Sequence, residues 1–505
     1  MTKTYAEINQ RIKSGDALVL TAEEMIGYVR ENGLKKAAEE VDVVTTGTFG
    51  AMCSSGAFLN FGHSEPPIKM QKVWLNDVEA YTGLAAVDAY LGATQVSETE
   101  GLEYGGGHVI EDLVKGEVVD LRATSYGTDC YPRRKIGTEI TLQDINQAYL
   151  FNPRNAYQNY AAATNSGEKT LYTYMGKLLP NFGNVTYTTS SQLSPLLNDP
   201  YLETIGFGTR ILLGGSTGYV VGEGTQHNTK PARKNDVPIG AAGTLAVKAD
   251  LKNADPRFIK GAVFEKYGTS LFMGVGVPIP ILNEGIAKRT AISDEQIFTK
   301  ILDYSVASRS RPAVKEVNYA ELRSGRVELE GEQVRTSPLA PLKTARLIAD
   351  ILKERISRGK FLLTEPLESI PEREFRPMKH DLKFVKDIMG KAATISPESN
   401  IAEVARLMTQ KGINHVPVVD NRKLVGIVTS WDIARAVAEG KKTLKEVAVK
   451  NVITARPNET VEIAAERLRK NQISALPVTD QNNALLGIIT AEDVTKFAIS
   501  EKGGG

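Results

Sequence analysis

Cys53 and Cys130 are the only thiols in a chain of 505 residues, and each sits in a run of small residues. The first run is TTGTFGAMCSSGAFLNFGH, Thr45–His63; the second is RATSYGTDCYPRRKIG, Arg122–Gly137. Glycine lets backbone N–H groups approach a ligand or a reacting atom, so such runs suit a site. Cys130 is followed by Pro132, Arg133 and Arg134. Guanidinium groups this near a thiol favour the nucleophilic thiolate, although Asp129 opposes them. Cys53 is followed by Ser54, Ser55 and Gly56, which fit a reactive turn and equally a plain turn or helix cap. The ordinary fate of a free cysteine is burial as a small hydrophobe. The arginines make Cys130 the first candidate nucleophile and Cys53 the second.

Three further glycine clusters carry polar groups. GLEYGGGHVIEDLVKG, Gly101–Gly116, holds His108; GFGTRILLGGSTGYVVGEGTQHN, Gly206–Asn228, holds Arg210 and His227. FMGVGVPIPI, Phe272–Ile281, reads as a glycine–proline loop or edge strand. None has the Gly-Lys-Ser/Thr ending of a P-loop, and Pro278 breaks the dinucleotide pattern begun by Gly274 and Gly276. His63, His108 and His227 lack a short zinc-ligand spacing, so no metal is expected.

A second chemistry comes from a duplication. Ile401, Val404, Ala405 and Met408 fall on one helix face, and Val461, Ala464, Ala465 and Leu468 repeat them sixty residues on. Each helix precedes an apolar strand with proline, HVPVVD (His415–Asp420) and ALPVTD (Ala475–Asp480). A second strand follows, LVGIVTSWDI (Leu424–Ile433) and LLGIITAEDV (Leu485–Val494). Both copies carry Gly-x-x-Thr-x-x-Asp, as Gly426, Thr429, Asp432 and Gly487, Thr490, Asp493. These halves resemble CBS modules of βαββα order, CBS 1 over 384–443 and CBS 2 over 447–502. The resemblance implies an adenosyl effector, S-adenosylmethionine or AMP/ATP, and a homodimer. An ionised aspartate only accepts, so it can take both ribose hydroxyls, while the threonine can donate to a phosphate or its replacement.

These groups need two or three domains to position them, because the chain is too long for one core. Glycine and tyrosine concentrate before residue 290. Short apolar segments there, ALVL, LAAVDAYLGA and GYVV, lie between turn signals and give a mixed α+β fold (an α/β composition) for a first domain, 1–370. Helical stretches are expected over Asp294–Ser308 and Leu342–Arg358. A proline- and charge-rich linker over 364–380 leads to the duplicated pair. Lys and Arg total 61 against 60 Asp and Glu, so neither nucleic acid nor an acidic membrane surface is an expected partner. The polar N-terminus has no signal-peptide core and no segment suits a bilayer, so a cytoplasmic chain is expected.

Taken together, GTFGAMCSSGAFLNFGH, EYGGGHVIEDLVKG, TSYGTDCYPRR and FGTRILLGGSTGYVVGEGTQHN resemble the homocysteine biosynthesis family, the L-aspartate semialdehyde sulfurtransferases. The resemblance covers roughly residues 5–370. It implies sulfur from sulfide or another donor, carried as a persulfide on Cys130, with Cys53 as an assisting or resolving thiol. It implies transfer to the aldehyde carbon of aspartate semialdehyde. It also implies electrons from a separate ferredoxin-like iron–sulfur protein, since two cysteines cannot hold a cluster. Arg133, Arg134 and Arg210 are candidates for the substrate carboxylate, and His63, His108 and His227 for protonating the oxyanion. Two rival readings compete. One is a CBS-regulated dehydrogenase with a catalytic cysteine; there the pair is inserted in a barrel rather than C-terminal. The other is a non-catalytic adenosyl-sensing scaffold, which would not need so many glycine-rich loops.

Overall fold

The computed structural model describes residues 2–156, 158–240, 242–305, 311–372 and 383–502. The chain divides into two compact units, Met1–Phe375 and Arg376–Gly505. The first unit mixes helices with short strands, as the sequence predicts.

Its central element is a nine-stranded sheet. The strand Gly268–Gly276 lies inside it and pairs antiparallel with Ile259–Phe264, Arg210–Leu213 and Thr48–Ala51. Further along, Gln147–Asn155 pairs with Gly56–Asn60, which pairs with Asp88–Gly92. The FMGVG segment is therefore an inner strand rather than a loop or an edge. Its glycines admit a helix: a Cβ added at Gly274 would come within 2.8 Å of Ile348 Cδ1. Ile348 belongs to the helix Leu342–Ser357, whose Ala345, Ile348, Ala349, Leu352 and Ile356 are buried at the spacing of one helix face. The sequence predicts this helix correctly. The prolines that follow form the strand Pro278–Pro280, an edge of a three-stranded sheet, where a missing N–H does no harm.

The stretch expected to be helical over Asp294–Ser308 is instead a strand, Phe298–Asp303, in a second, mixed sheet. Its exposure alternates residue by residue, with Thr299, Ile301 and Asp303 turned inward. Period two, not 3.6, is the pattern that wins there. Residues 306–308 of that stretch lie outside the described residues.

The helix Gly106–Lys115 packs on the large sheet through the triple glycine. A Cβ on Gly106 would overlap the Gly92 carbonyl oxygen, and one on Gly107 the Ser270 carbonyl oxygen. Part of the expected linker belongs to this unit. Thr364 Oγ1 accepts from the Arg210 N–H at 2.8 Å, and Glu368–Ser369 pairs with Gly206–Phe207. Residues 373–380 of that linker lie outside the described residues.

The second unit is a duplication in space as in sequence. Helices Ile401–Lys411 and Val461–Asn471 precede hairpins of His415–Asp420 with Lys423–Thr429 and of Ala475–Thr479 with Leu485–Thr490. The first strand of each βαββα half shrinks to one parallel bridge, Ile395 to Val418 and Ala455 to Val478. The second hairpin strands stop at Thr429 and Thr490, earlier than the sequence predicts. Each threonine accepts the backbone N–H of the aspartate three residues on, and that aspartate accepts the threonine's own N–H. This reciprocal cap starts helices Ser430–Ala438 and Ala491–Lys502. Among the described residues, no helix is long and apolar enough to cross a membrane.

Candidate active site

Thr48–Ala51 leads into a tight turn, and that turn presents Cys53. The Ser55 N–H and hydroxyl both donate to the Met52 carbonyl, at 2.9 and 2.6 Å. Asn152 Nδ2 donates to Ser55 Oγ at 2.8 Å from the neighbouring strand. The Cys53 side chain is half-buried, and Ser270 Oγ lies 3.2 Å from its Sγ as a donor. Ser270 is fixed by the inner strand on which the triple-glycine helix rests. The first glycine cluster thus serves the site at one remove, by letting a helix press on the strand that holds the thiol's partner.

Cys53 lines a cavity of about 410 Å³, in the range of small-molecule sites. Two arginines, Arg154 and Arg311, line it with Tyr160, Tyr174 and Tyr267, and among the described residues no carboxylate lines it. The tyrosines are linked. Tyr160 donates to the Tyr174 hydroxyl at 2.9 Å, and the Tyr174 and Tyr304 hydroxyls are 3.1 Å apart. Arg311 Nη1 donates to Tyr174 at 2.7 Å and its guanidinium lies 4.4 Å over the Tyr304 ring. Tyr267 packs edge-on to Tyr174 with ring centroids 6.0 Å apart. Burial, then the negative charge of a Cys53 thiolate, raises the Tyr267 phenol above its ordinary value, so at neutral pH it is a proton donor beside the sulfur.

Cys130 is elsewhere. It is exposed at the tip of the hairpin joining Val119–Thr124 to Lys135–Ile140, and Tyr131 beside it stacks on His63 at 5.8 Å. Arg133 donates to the carbonyls of Glu65 and Lys135. The strand Gly56–Asn60, roughly 16 Å long at about 3.3 Å per residue, runs from near the Cys53 turn towards the His63 loop. Both cysteines are free thiols, and the cavity contains one of them.

None of the other first-unit residues expected at the substrate lines the cavity. Arg134 lies against Gly127 within the Cys130 hairpin. Arg210 stacks over Phe361 at 4.8 Å. His108 Nδ1 accepts from the Gly105 N–H at 3.2 Å and its ring stacks on Tyr104, so it caps its own helix. His227 is buried, with Nδ1 accepting the Thr244 N–H at 2.9 Å. The sequence reading missed Arg154, Arg311 and the four tyrosines. The density of tyrosine in the first domain was the one signal pointing to them.

Burial lowers the imidazoles of His108, His227 and His415 below their ordinary value. Unfolding restores the ordinary value, so in mild acid the unfolded chain binds more protons. This stabilising contribution is present above about pH 6.5 and is lost as the pH falls towards the depressed folded values. Thermal melts between about pH 7.5 and pH 5.5 should show the midpoint dropping by several degrees. His227→Gln should flatten that drop. A slope unchanged in the variant would remove His227 from the explanation.

The fold and site together define a two-part protein: a cavity-bearing domain with one thiol beside two guanidinium groups, joined to a duplicated CBS unit. The family of homocysteine biosynthesis enzymes, sulfur-incorporation, matches residues 17–363, and CBS domains match residues 385–439 and 444–500. The chain belongs to that homocysteine biosynthesis family. An L-aspartate semialdehyde sulfurtransferase of Methanosarcina acetivorans is 54% identical over 501 residues, 98% of this chain and 98% of its own. Another of that name, from Methanocaldococcus jannaschii, is 52% identical over 98% of both chains. A CBS domain pair solved with 5′-methylthioadenosine and S-adenosyl-L-methionine is 41% identical over 24% of this chain and 99% of its own, with TM-score 0.24.

Proposed function

We propose that this chain makes L-homocysteine by moving sulfur from a cysteine persulfide to the aldehyde carbon of L-aspartate semialdehyde. The observation that carries the reading is the cavity itself, where a half-buried thiol shares a small space with two arginines and a tyrosine network. A persulfide anion is a soft nucleophile and an aldehyde its natural electrophile. Attack leaves an oxyanion. The Arg154 guanidinium beside the Cys53 turn neutralises it and a phenol beside the sulfur protonates it before water is lost.

The two cysteines divide the work. Cys130, exposed on its hairpin, is the loading thiol and takes the persulfide first. Cys53 thiolate then attacks the outer sulfur, and Cys130 thiolate leaves. The hairpin tip must swing from His63 to the cavity mouth for this step. From sulfide, the overall change is aldehyde plus hydrogen sulfide, two electrons and two protons, giving thiol and water. A persulfide sulfur is two electrons more oxidised, so turnover from it draws two electron pairs. Those come from a separate ferredoxin-like iron–sulfur protein. An anaerobic assay with aspartate semialdehyde, a sulfane-sulfur donor that loads the persulfide, and a low-potential reductant tests the reading. Homocysteine is expected; none formed by folded, persulfide-loaded enzyme overturns it.

The second unit acts as an adenosyl-ligand sensor and as the homodimer contact. Exposed Trp431 and Val437 on one helix support the contact. The Thr–Asp pairs that cap the helices, Thr429 with Asp432 and Thr490 with Asp493, present one carboxylate oxygen each to a ribose. The two clefts differ. Arg435 reaches Asp432 Oδ1 at 3.1 Å, whereas the matching Lys496 pairs with Glu492. Calorimetric titration of the full chain with S-adenosylmethionine or AMP should therefore show Asp493→Asn losing at least about tenfold in affinity, the worth of one charged hydrogen bond, and Asp432→Asn losing less. No binding heat with either ligand in the unaltered chain would remove the sensor.

A further inference from the structure

We infer that Arg311, held by Tyr174, is the specificity residue that receives the substrate's carboxylate, an assignment resting on the reading of the cavity as the place where cysteine-borne sulfur meets an amino-acid aldehyde. Arg133, Arg134 and Arg210 do not line that cavity; Arg154 and Arg311 do. A cavity with two guanidinium groups and, among the described residues, no lining carboxylate takes an anion.

Arg311 is the better placed of the two. Its Nη1 donates to the Tyr174 hydroxyl at 2.7 Å, and its guanidinium carbon lies 4.4 Å from the Tyr304 ring centroid and 5.6 Å from that of Tyr174. The Tyr174 hydroxyl also accepts from Tyr160, so its own proton is directed at Tyr304. A fork fixed in this way keeps its remaining N–H groups aimed, which is what bidentate carboxylate recognition needs. Among the described residues Arg154 has no comparable lock. Its backbone carbonyl accepts from Ser54 Oγ at 3.4 Å, beside the Cys53 turn, which suits a counter-charge for the sulfur.

The contacts also run in the right order. Cys53 and Tyr267 line the same cavity, Tyr267 packs on Tyr174, and Tyr174 holds Arg311. Sulfur and guanidinium therefore stand at two ends of one tyrosine-lined path. In aspartate semialdehyde three C–C bonds, each about 1.5 Å, separate the aldehyde carbon from the carboxylate carbon. A persulfide adds about 2 Å on the sulfur side. A ligand of this class, a short aldehyde with its carboxylate at the far end, carries its two reactive groups at opposite ends, as the path holds thiol and guanidinium.

The test compares aspartate semialdehyde with 3-aminopropanal, the same aldehyde without its carboxylate, by the thiol each forms: homocysteine from the first, 3-aminopropane-1-thiol from the second. The full-length protein should prefer the former by at least about a hundredfold in kcat/KM, because a buried fork left unpaired rejects the analogue. Arg311→Gln should lose most of that preference through KM for aspartate semialdehyde, with the analogue's rate nearly unchanged. Arg311→Lys should regain part of it. An equal loss on both substrates, the result a merely structural arginine gives, overturns the assignment. So does a preference that survives Arg311→Gln and disappears in Arg154→Gln. Failure of the unaltered protein to use aspartate semialdehyde at all is a different result: it overturns the reading of the cavity, and the assignment falls with it.

Discussion

Cys53→Ala should lose at least about a thousandfold of homocysteine formation and still gain a sulfur atom when exposed to a sulfur donor. The loss follows from position. Cys53 is the one thiol that lines the cavity with Arg154 and Arg311, and its Sγ is held by Ser270. Without it, sulfur arriving from the hairpin has no acceptor beside the substrate. The gain follows from exposure, because Cys130 stands on a solvent-facing tip where a donor can reach it. Cys130→Ala should behave differently. It loses the adduct of about 32 Da in the intact mass after loading, and it loses activity to a similar extent. Cys53→Ser keeps the size and hydrogen bonding of the turn, so its melting point should stay within a few degrees of the parent while its activity is lost. A Cys53→Ala protein that turns over normally would refute the relay. So would an adduct found on Cys53 in a Cys130→Ala chain.

Gly106→Ala should cost more folded protein than any other single-methyl change in the first unit. The added Cβ would overlap the Gly92 carbonyl oxygen, and backbone on both sides leaves no flexible group to yield. Overpacking of this kind costs about 1–3 kcal/mol when neighbours can shift, and more when backbone must move. The Gly106–Lys115 helix would lift from the strand that carries Ser270. Loss of soluble protein, or a melting point lower by more than about 5 °C, is therefore expected along with lost activity. Gly116→Ala is the control. Gly116 caps the same helix in the left-handed region at φ 81°, with nothing near its added Cβ, so it should show only modest strain. A Gly106→Ala chain with unchanged melting and abolished turnover would instead make the triple glycine a ligand cradle.

That contrast explains what could be read from residues alone. The duplicated unit was legible because its signals are local: apolar spacing along two helices, a proline in each first hairpin strand and a Thr-x-x-Asp pair. Even there the strands were read too long, because Thr-x-x-Asp is also a helix cap. In the first unit, glycine clusters signalled close approach without saying to what. At Gly106, Gly107 and Gly274 the near neighbour is the protein's own backbone or helix. Likewise, the arginines beside Cys130 in sequence turn to backbone carbonyls or to their own hairpin, while Arg154 and Arg311, far from Cys53 in sequence, share its cavity. Arg154 sits in a strand of the nine-stranded sheet, while Arg311 precedes the strand Ala313–Asn318 of the second sheet, and pairing between distant strands leaves no local trace.

The most direct test loads the protein with a heavy-isotope persulfide, removes free sulfide, and supplies aspartate semialdehyde with a low-potential iron–sulfur donor for a single turnover. The heavy sulfur should emerge in homocysteine, with the adduct lost from the protein in the same amount. A protein that keeps its heavy sulfur and makes homocysteine only when fresh unlabelled sulfide is added would show that sulfide attacks the aldehyde directly, and the cysteine carrier would be wrong.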